Sequence, residues 1–164
     1  MDCFLMILRE YFLPCLAAFF ACVGFCFVYN LRGKKLFFAP FGAALAWLVY
    51  LLTAGLQNDT LQCFLAAVVM ASYSEVMARI QRAPVICYLL VGLLPLVPGG
   101  GIYYTMEHCV SGDTEAFLES ILHTLGLAGA LALAVVVVAS VARLGLIARM
   151  MRVLRSFRRK KQAG

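Results

Sequence analysis

Five stretches of this chain, residues 11–29, 36–56, 61–78, 84–106 and 121–142, are almost free of charge, Glu75 and His123 being their only titratable acid and imidazole. Runs of about 20 apolar residues are long enough to cross the hydrocarbon of a bilayer as α-helices. In lipid each backbone N–H and C=O needs an internal partner, so helices are the form such runs take. The expected fold is therefore an all-α integral membrane protein with five transmembrane helices. One membrane domain covers residues 1–142, and a basic tail follows over 143–164.

Composition excludes the competing classes. Hydrophobic residues make up 64% of the 164 positions and charged ones 13%, against roughly 25% charged in soluble domains. The net charge of +6 does not point to nucleic acid, because eight of the fourteen Lys and Arg residues fall between Arg143 and Lys161. Basic residues beside a membrane segment are cytoplasmic anchors attracted to anionic lipid by about 1 kcal/mol each. In the tail Leu144, Ile147, Met151 and Leu154 recur at helical spacing with Arg149, Arg152 and Arg155 between them. That pattern reads as a basic amphipathic helix lying on the inner leaflet or docking on a partner.

The cysteines, Cys3, Cys15, Cys22, Cys26, Cys63, Cys87 and Cys109, form no CxxC pair and have no histidine at metal spacing, so they read as small apolar residues and no metal or cofactor is expected. The N-terminus lacks the basic region and cleavage site of a signal peptide and is expected to be retained.

Lys and Arg in short loops stay on the cytoplasmic side. Arg32, Lys34 and Lys35 separate the first two runs, Arg79 and Arg82 the third and fourth, and the other eight follow the fifth. Five crossings put all thirteen on one side and leave only Arg9 opposite. The expected topology is N-terminus outside and C-terminus cytoplasmic.

The fourth run carries Pro95-Leu96-Val97-Pro98-Gly99-Gly100-Gly101 at mid-span. Each proline removes a backbone donor and clashes with the preceding turn, and glycines loosen what remains. Irregular backbone at membrane depth survives only where protein buries it or it lines a cavity. A broken helix at midplane is how secondary transporters form a site, the restarted half-helix offering free N–H groups to an anion. On this reading Gly99, Gly100 and Gly101 let a solute approach the backbone, and Tyr103 and Tyr104 hydrogen-bond it. The alternatives are a kink that only shapes packing and an interfacial tyrosine belt.

Glu75 sits inside the third run, where a charge costs on the order of 2.5 to 3.5 kcal/mol. Two accounts stand: a snorkelling pair with Arg79 one turn later, or a proton or cation carrier with Ser72, Tyr73 and Ser74 along its route. His123 is a second candidate for ion coupling, since histidine changes charge near neutral pH, or else a polar anchor. Gly42 with Ala46, and Gly126 with Ala130 and Ala134, suit close helix packing. Glu75 has no second intramembrane carboxylate, and His108 and His123 lie on different elements, so no catalytic residues are assigned and an enzyme is not expected.

Gly24-Phe25 and Tyr29-Asn30 at the end of the first run, Arg82-Ala83-Pro84 opening the fourth, and Pro95-x-x-Pro98-Gly99 followed by Tyr103 occur in an order that resembles the threonine/serine exporter family. The likeness is to the small membrane subunit of ThrE-type exporters, the YjjB-like proteins, and runs from about Phe12 to the end of the fifth run. It implies a bacterial inner-membrane exporter of small carboxylates, threonine and serine or a succinate-like dicarboxylate. It also implies a larger partner subunit with its own membrane spans and a soluble domain. Family weight falls on Pro95, Pro98, Gly99, Tyr103 and Asn30, although Leu31-Arg32 follows Asn30 where a proline-containing turn belongs. The alternative is a structural or assembly subunit whose larger partner holds the substrate. An odd number of spans would set a related five-span partner in inverted orientation.

Reporter tags at the two ends test the topology: an N-terminal tag is expected outside and a C-terminal tag in the cytoplasm, and two cytoplasmic tags would overturn the five-span arrangement.

Overall fold

Helix is the only regular structure among the described residues, as backbone pairing in lipid requires. The computed structural model describes the backbone of residues 8–162 and the side chains of 9–145. A short π-helical turn, Leu8–Phe12, leads into α1 (Leu13–Val28). Then follow α2 (Lys35–Leu52) with a 3-10 turn at Ala54–Leu56, α3 (Asp59–Gln81), and α4 (Ile86–Leu93) with a 3-10 turn at Leu94–Leu96. The last two helices are α5 (Gly99–Ser111) and α6 (Thr114–Gln162).

Polar side chains and left-handed residues stop and start these helices. Asn30 (φ 52°) and Arg82 (φ 50°) end α1 and α3. Past them Leu31 N–H donates to the Cys26 carbonyl at 2.9 Å and Ala83 N–H to Ala78 at 2.9 Å, satisfying carbonyls that a helix end leaves open. The Asn58 side chain caps α3 by accepting from Leu61 N–H at 3.3 Å. Gly112 (φ 77°) ends α5 and the Asp113 carboxylate accepts from Ala116 N–H at 3.1 Å to start α6. Two residues therefore join α5 to α6, and both helices run beyond the edges at 106 and 121 expected from hydropathy.

Among the described residues four segments, Arg9–Val28, Lys35–Leu56, Asp59–Gln81 and Thr114–Gly145, are long and apolar enough to cross a bilayer. The fourth run forms two pieces, Ile86–Leu96 and Gly99–Ser111, bent by 52°, which add a fifth crossing if the pair is taken as one. Helix α6 continues from the last crossing into the tail. The side chains of residues 147–154, on which the amphipathic reading rests, lie outside those described.

A stripe of small residues holds the bundle together. Helix α2 packs on α1, α3 and α4, and α6 packs on α3 and α5. Ala39, Gly42, Ala43 and Ala46 form the buried face of α2, and Ala66, Ala67, Met70, Ala71 and Ser74 that of α3. Without a hydrophobic force between helices in lipid, such faces associate by letting backbones approach. A Cβ on Gly42 would stand 2.5 Å from the Tyr73 ring, and that ring is tethered because the Tyr73 hydroxyl donates to the Phe38 carbonyl at 2.8 Å. Gly126 meets only Thr60, whereas Ala130 and Ala134 are buried.

Gly42→Ala is expected to destabilise the fold by about 1–3 kcal/mol through overpacking, read as a lowered Tm in detergent. Gly24→Ala, which has open space around it, leaves Tm unchanged or raises it.

Candidate functional site

The break in the fourth run is built from two prolines acting on successive turns. Pro95 has no N–H for the Val91 carbonyl, which instead accepts from Leu94 N–H in a tightened turn and from the Cys22 thiol of α1 at 3.3 Å. Pro98 likewise leaves the Leu94 carbonyl to Val97 N–H at 3.3 Å. Val97 is extended, and Pro98 (φ −75°, ψ 62°) makes an inverse γ-turn in which Gly99 N–H donates to the Val97 carbonyl at 2.7 Å. The Leu96 carbonyl, which a continuous helix would pair with Gly100, receives the Cys63 thiol of α3 at 3.8 Å. Two cysteines that read as packing residues thus act as donors to the broken backbone.

Two cavities flank this break. One, of about 420 Å³, lies between α1 and the 3-10 turn, with Ala18, Ala21, Phe25, Trp47 and Pro95 in its wall. The other, of about 150 Å³, lies among Trp47, Tyr50, Cys63, Pro95, Pro98 and Leu127. Trp47 and Pro95 border both. No Lys, Arg, His, Asp or Glu lines either. Trp47 stacks on Tyr50 (centroids 5.3 Å apart, planes at 22°), and its indole nitrogen is buried without an acceptor. The Tyr88 hydroxyl, in the core between α1, α2 and α3, is also buried without a partner.

Only part of the expected site gathers here. Pro95 and Pro98 line the cavities, and Gly99 and Gly100 lie exposed at the start of α5. Gly101 has another use: a Cβ there would stand 2.5 Å from Thr124 Oγ1 of α6, so its bare backbone lets the two helices meet. Tyr103 and Tyr104 are exposed and pack edge to face on each other, 5.5 Å apart. Asn30 is exposed at the α1 cap, its side chain accepting from Arg32 Nε at 3.0 Å. The Ser72 and Ser74 hydroxyls donate to the Val68 and Met70 carbonyls of their own helix, at 2.7 and 2.9 Å. Asn30, Ser72 and Ser74 border neither cavity.

Glu75 pairs with Arg79 at 3.3 Å, and Arg79 also donates to the Ala142 carbonyl at 3.4 Å, tying α3 to α6. His123 Nε2 lies 3.6 Å from Asp59 Oδ2, joining the same two helices near their other ends, with both side chains more than half exposed. Among the described residues no group of three His, Cys, Asp or Glu side chains converges as a metal site would need.

Removing the thiol donor tests its part in the break. Cys22→Ala is expected to lower stability by roughly 1 kcal/mol, the worth of one buried hydrogen bond, whereas Cys22→Ser, which keeps a donor, recovers most of it in thermal unfolding.

No curated protein and no solved structure matches the chain. The sequence model of the family described as Threonine/Serine exporter, ThrE, matches residues 14–141, from α1 to the middle of α6. With more than three quarters of its length matched, the chain belongs to the threonine/serine exporter family.

Proposed function

We propose that this chain is the small membrane subunit of a two-component secondary exporter that moves small carboxylates, threonine or serine or a succinate-like dicarboxylate, out of a bacterial cell. The observation that carries this reading is the helix broken at Pro95 and Pro98 between two cavities in an otherwise apolar bundle. Gly99 and Gly100 are exposed where α5 starts, so a solute can approach their backbone. The family match supports export as the activity. In this reading the bent pair is one crossing, the five spans sit in the bacterial inner membrane with the N-terminus outside, and a larger subunit with its own spans and soluble domain completes the path. Tyr103 and Tyr104 border the route beyond Gly99.

Glu75 is the candidate for ion coupling, because it is the acid set well within a span and its partner Arg79 is a flexible, half-exposed side chain able to release it. His123 takes the corresponding position near the other end of α6. The second reading, an assembly subunit whose partner holds the substrate, is favoured by the use of Gly101 in helix packing rather than solute approach.

Efflux of labelled threonine, serine and succinate from cells expressing the chain with its co-purifying subunits is expected to exceed that from cells lacking it. Glu75→Gln is expected to reduce efflux at least several-fold and to abolish its dependence on external pH. Unaltered pH dependence would return Glu75 to the role of an anchor, and a chain dispensable for efflux would refute the exporter reading.

A further inference from the structure

Contacts between α3 and α6 give the level of the other elements along the bundle. His123 Nε2 lies 3.6 Å from Asp59 Oδ2, a Cβ on Gly126 would stand 3.9 Å from Thr60 Oγ1, and Arg79 donates to the Ala142 carbonyl at 3.4 Å. The two helices therefore advance in step and in the same direction. Asp59 is the first residue of α3, whereas α6 begins at Thr114. Residues 114–122 of α6 thus lie beyond the end of α3, extending roughly 13 Å past it at 1.5 Å per residue.

The broken segment takes its level from the same contacts. Leu96 meets the Cys63 thiol one turn inside the start of α3, and a Cβ on Gly101 would stand 2.5 Å from Thr124 Oγ1, next to His123. The joint at Val97 and Pro98 therefore sits within about one helical turn, ~5 Å, of the end of α3. The middle of α3, at Met70, is about three turns deeper. The smaller cavity shares the level of the joint, with Tyr50 near the end of α2, Cys63 one turn into α3 and Leu127 one turn past His123 in its wall.

Length and charge agree with this division. The last apolar helix, Thr114–Gly145, has 32 residues, about 48 Å of helix against about 30 Å of hydrocarbon, so part of it must stand clear. Residues 99–122 carry Glu107, Asp113, Glu115 and Glu119 and neither Lys nor Arg, and such charges are costly in lipid. Tyr103 and Tyr104, within a turn of Gly101, fall at the interface where tyrosine is enriched. Helix α5 packs chiefly on α6, as an element standing off the end of the bundle would.

We propose that the joint at Val97 and Pro98 lies at the outer mouth of the membrane domain rather than at its middle, with most of α5 and residues 114–122 forming an arm outside the hydrocarbon. The smaller cavity is then the vestibule from which the solute leaves. Its direction rests on the exporter reading above, in which the basic loops at the other end of α3 face the cytoplasm. The parallel course of α3 and α6 makes the bent pair a crossing, because a re-entrant pair would return α6 antiparallel to α3.

Two measurements on the full-length protein, with any subunits that accompany it, test this. Ile102→Cys and Leu133→Cys, both at exposed positions and built on Cys109→Ser, are spin-labelled and reconstituted in liposomes. Collisions with a water-soluble nickel chelate, relative to dissolved oxygen, are expected to be at least several-fold more frequent at Ile102 than at Leu133. A label at Ile102 as shielded from nickel as one at Leu133 overturns the placement. In cells, a membrane-impermeant thiosulfonate added outside is expected to lower threonine efflux several-fold in Leu127→Cys built on Cys63→Ala, and to leave the Cys63→Ala parent unaffected. Inhibition from the cytoplasmic face alone, or from neither face, overturns the vestibule. Nickel access at Ile102 in a protein that supports no efflux would sustain the placement and refute the exporter reading instead.

Discussion

Everything distinctive in this bundle follows from the need to satisfy backbone polar groups where water is scarce. A helix does this by itself until proline interrupts it. Pro95 and Pro98 withdraw the donors for the Val91 and Leu94 carbonyls, and the chain answers with tightened turns from Leu94 and Val97 and with thiols brought from other helices. The two thiol bonds tie α1 and α3 to the broken segment. The irregular segment thereby becomes part of the core: Val91, Gly92 and Leu96 are buried, although the surrounding backbone is bent by 52°.

Close approach is the second condition, and small residues provide it. The Ala39-to-Ala46 face of α2 and the Cys63-to-Ala78 face of α3 bring backbones near enough for cysteines and glycines to matter individually. Gly92 of α4 illustrates this, since a Cβ there would run into the Met70 side chain. Such contacts gain their stability from dispersion and shape, because lipid offers no hydrophobic drive to bring helices together.

How far the sequence discloses this depends on whether a feature is local. Hydropathy located the four long apolar helices, Thr114 lying furthest from its expected edge, because an apolar run is defined by length and polarity alone. The break at Pro95–Gly101 was legible for the same reason, as proline and glycine act on their own turn. The part played by Cys22 was not. Cys22 meets Val91 across 69 positions, and nothing in its own helix marks it as a donor. Gly101 shows the other side of this: its backbone freedom is legible locally, whereas the contact that a Cβ there would make with Thr124 depends on the Gly112-Asp113 turn that sets α6 beside α5.

The halves of the broken segment are held unequally, and this bears on how such a site could serve export. Helix α4 is embedded among α2, α3 and α1, whereas α5 packs chiefly on α6, which itself touches the rest of the bundle through α3. The joint between them, Val97 and Pro98, has no continuous helical hydrogen bonding and is flanked by open space at Gly99. A rigid helix would have to transmit any displacement of one end to the other. A jointed one confines the difference between two packings to a few dihedrals, leaving the Trp47 side of the smaller cavity fixed on α2 while its Pro98 side is free to differ. Alternating access in secondary transporters uses such a division between a stationary wall and a movable one, and under the exporter reading proposed above the smaller cavity, with Trp47 on α2 and Pro98 at the joint, is where the two walls meet.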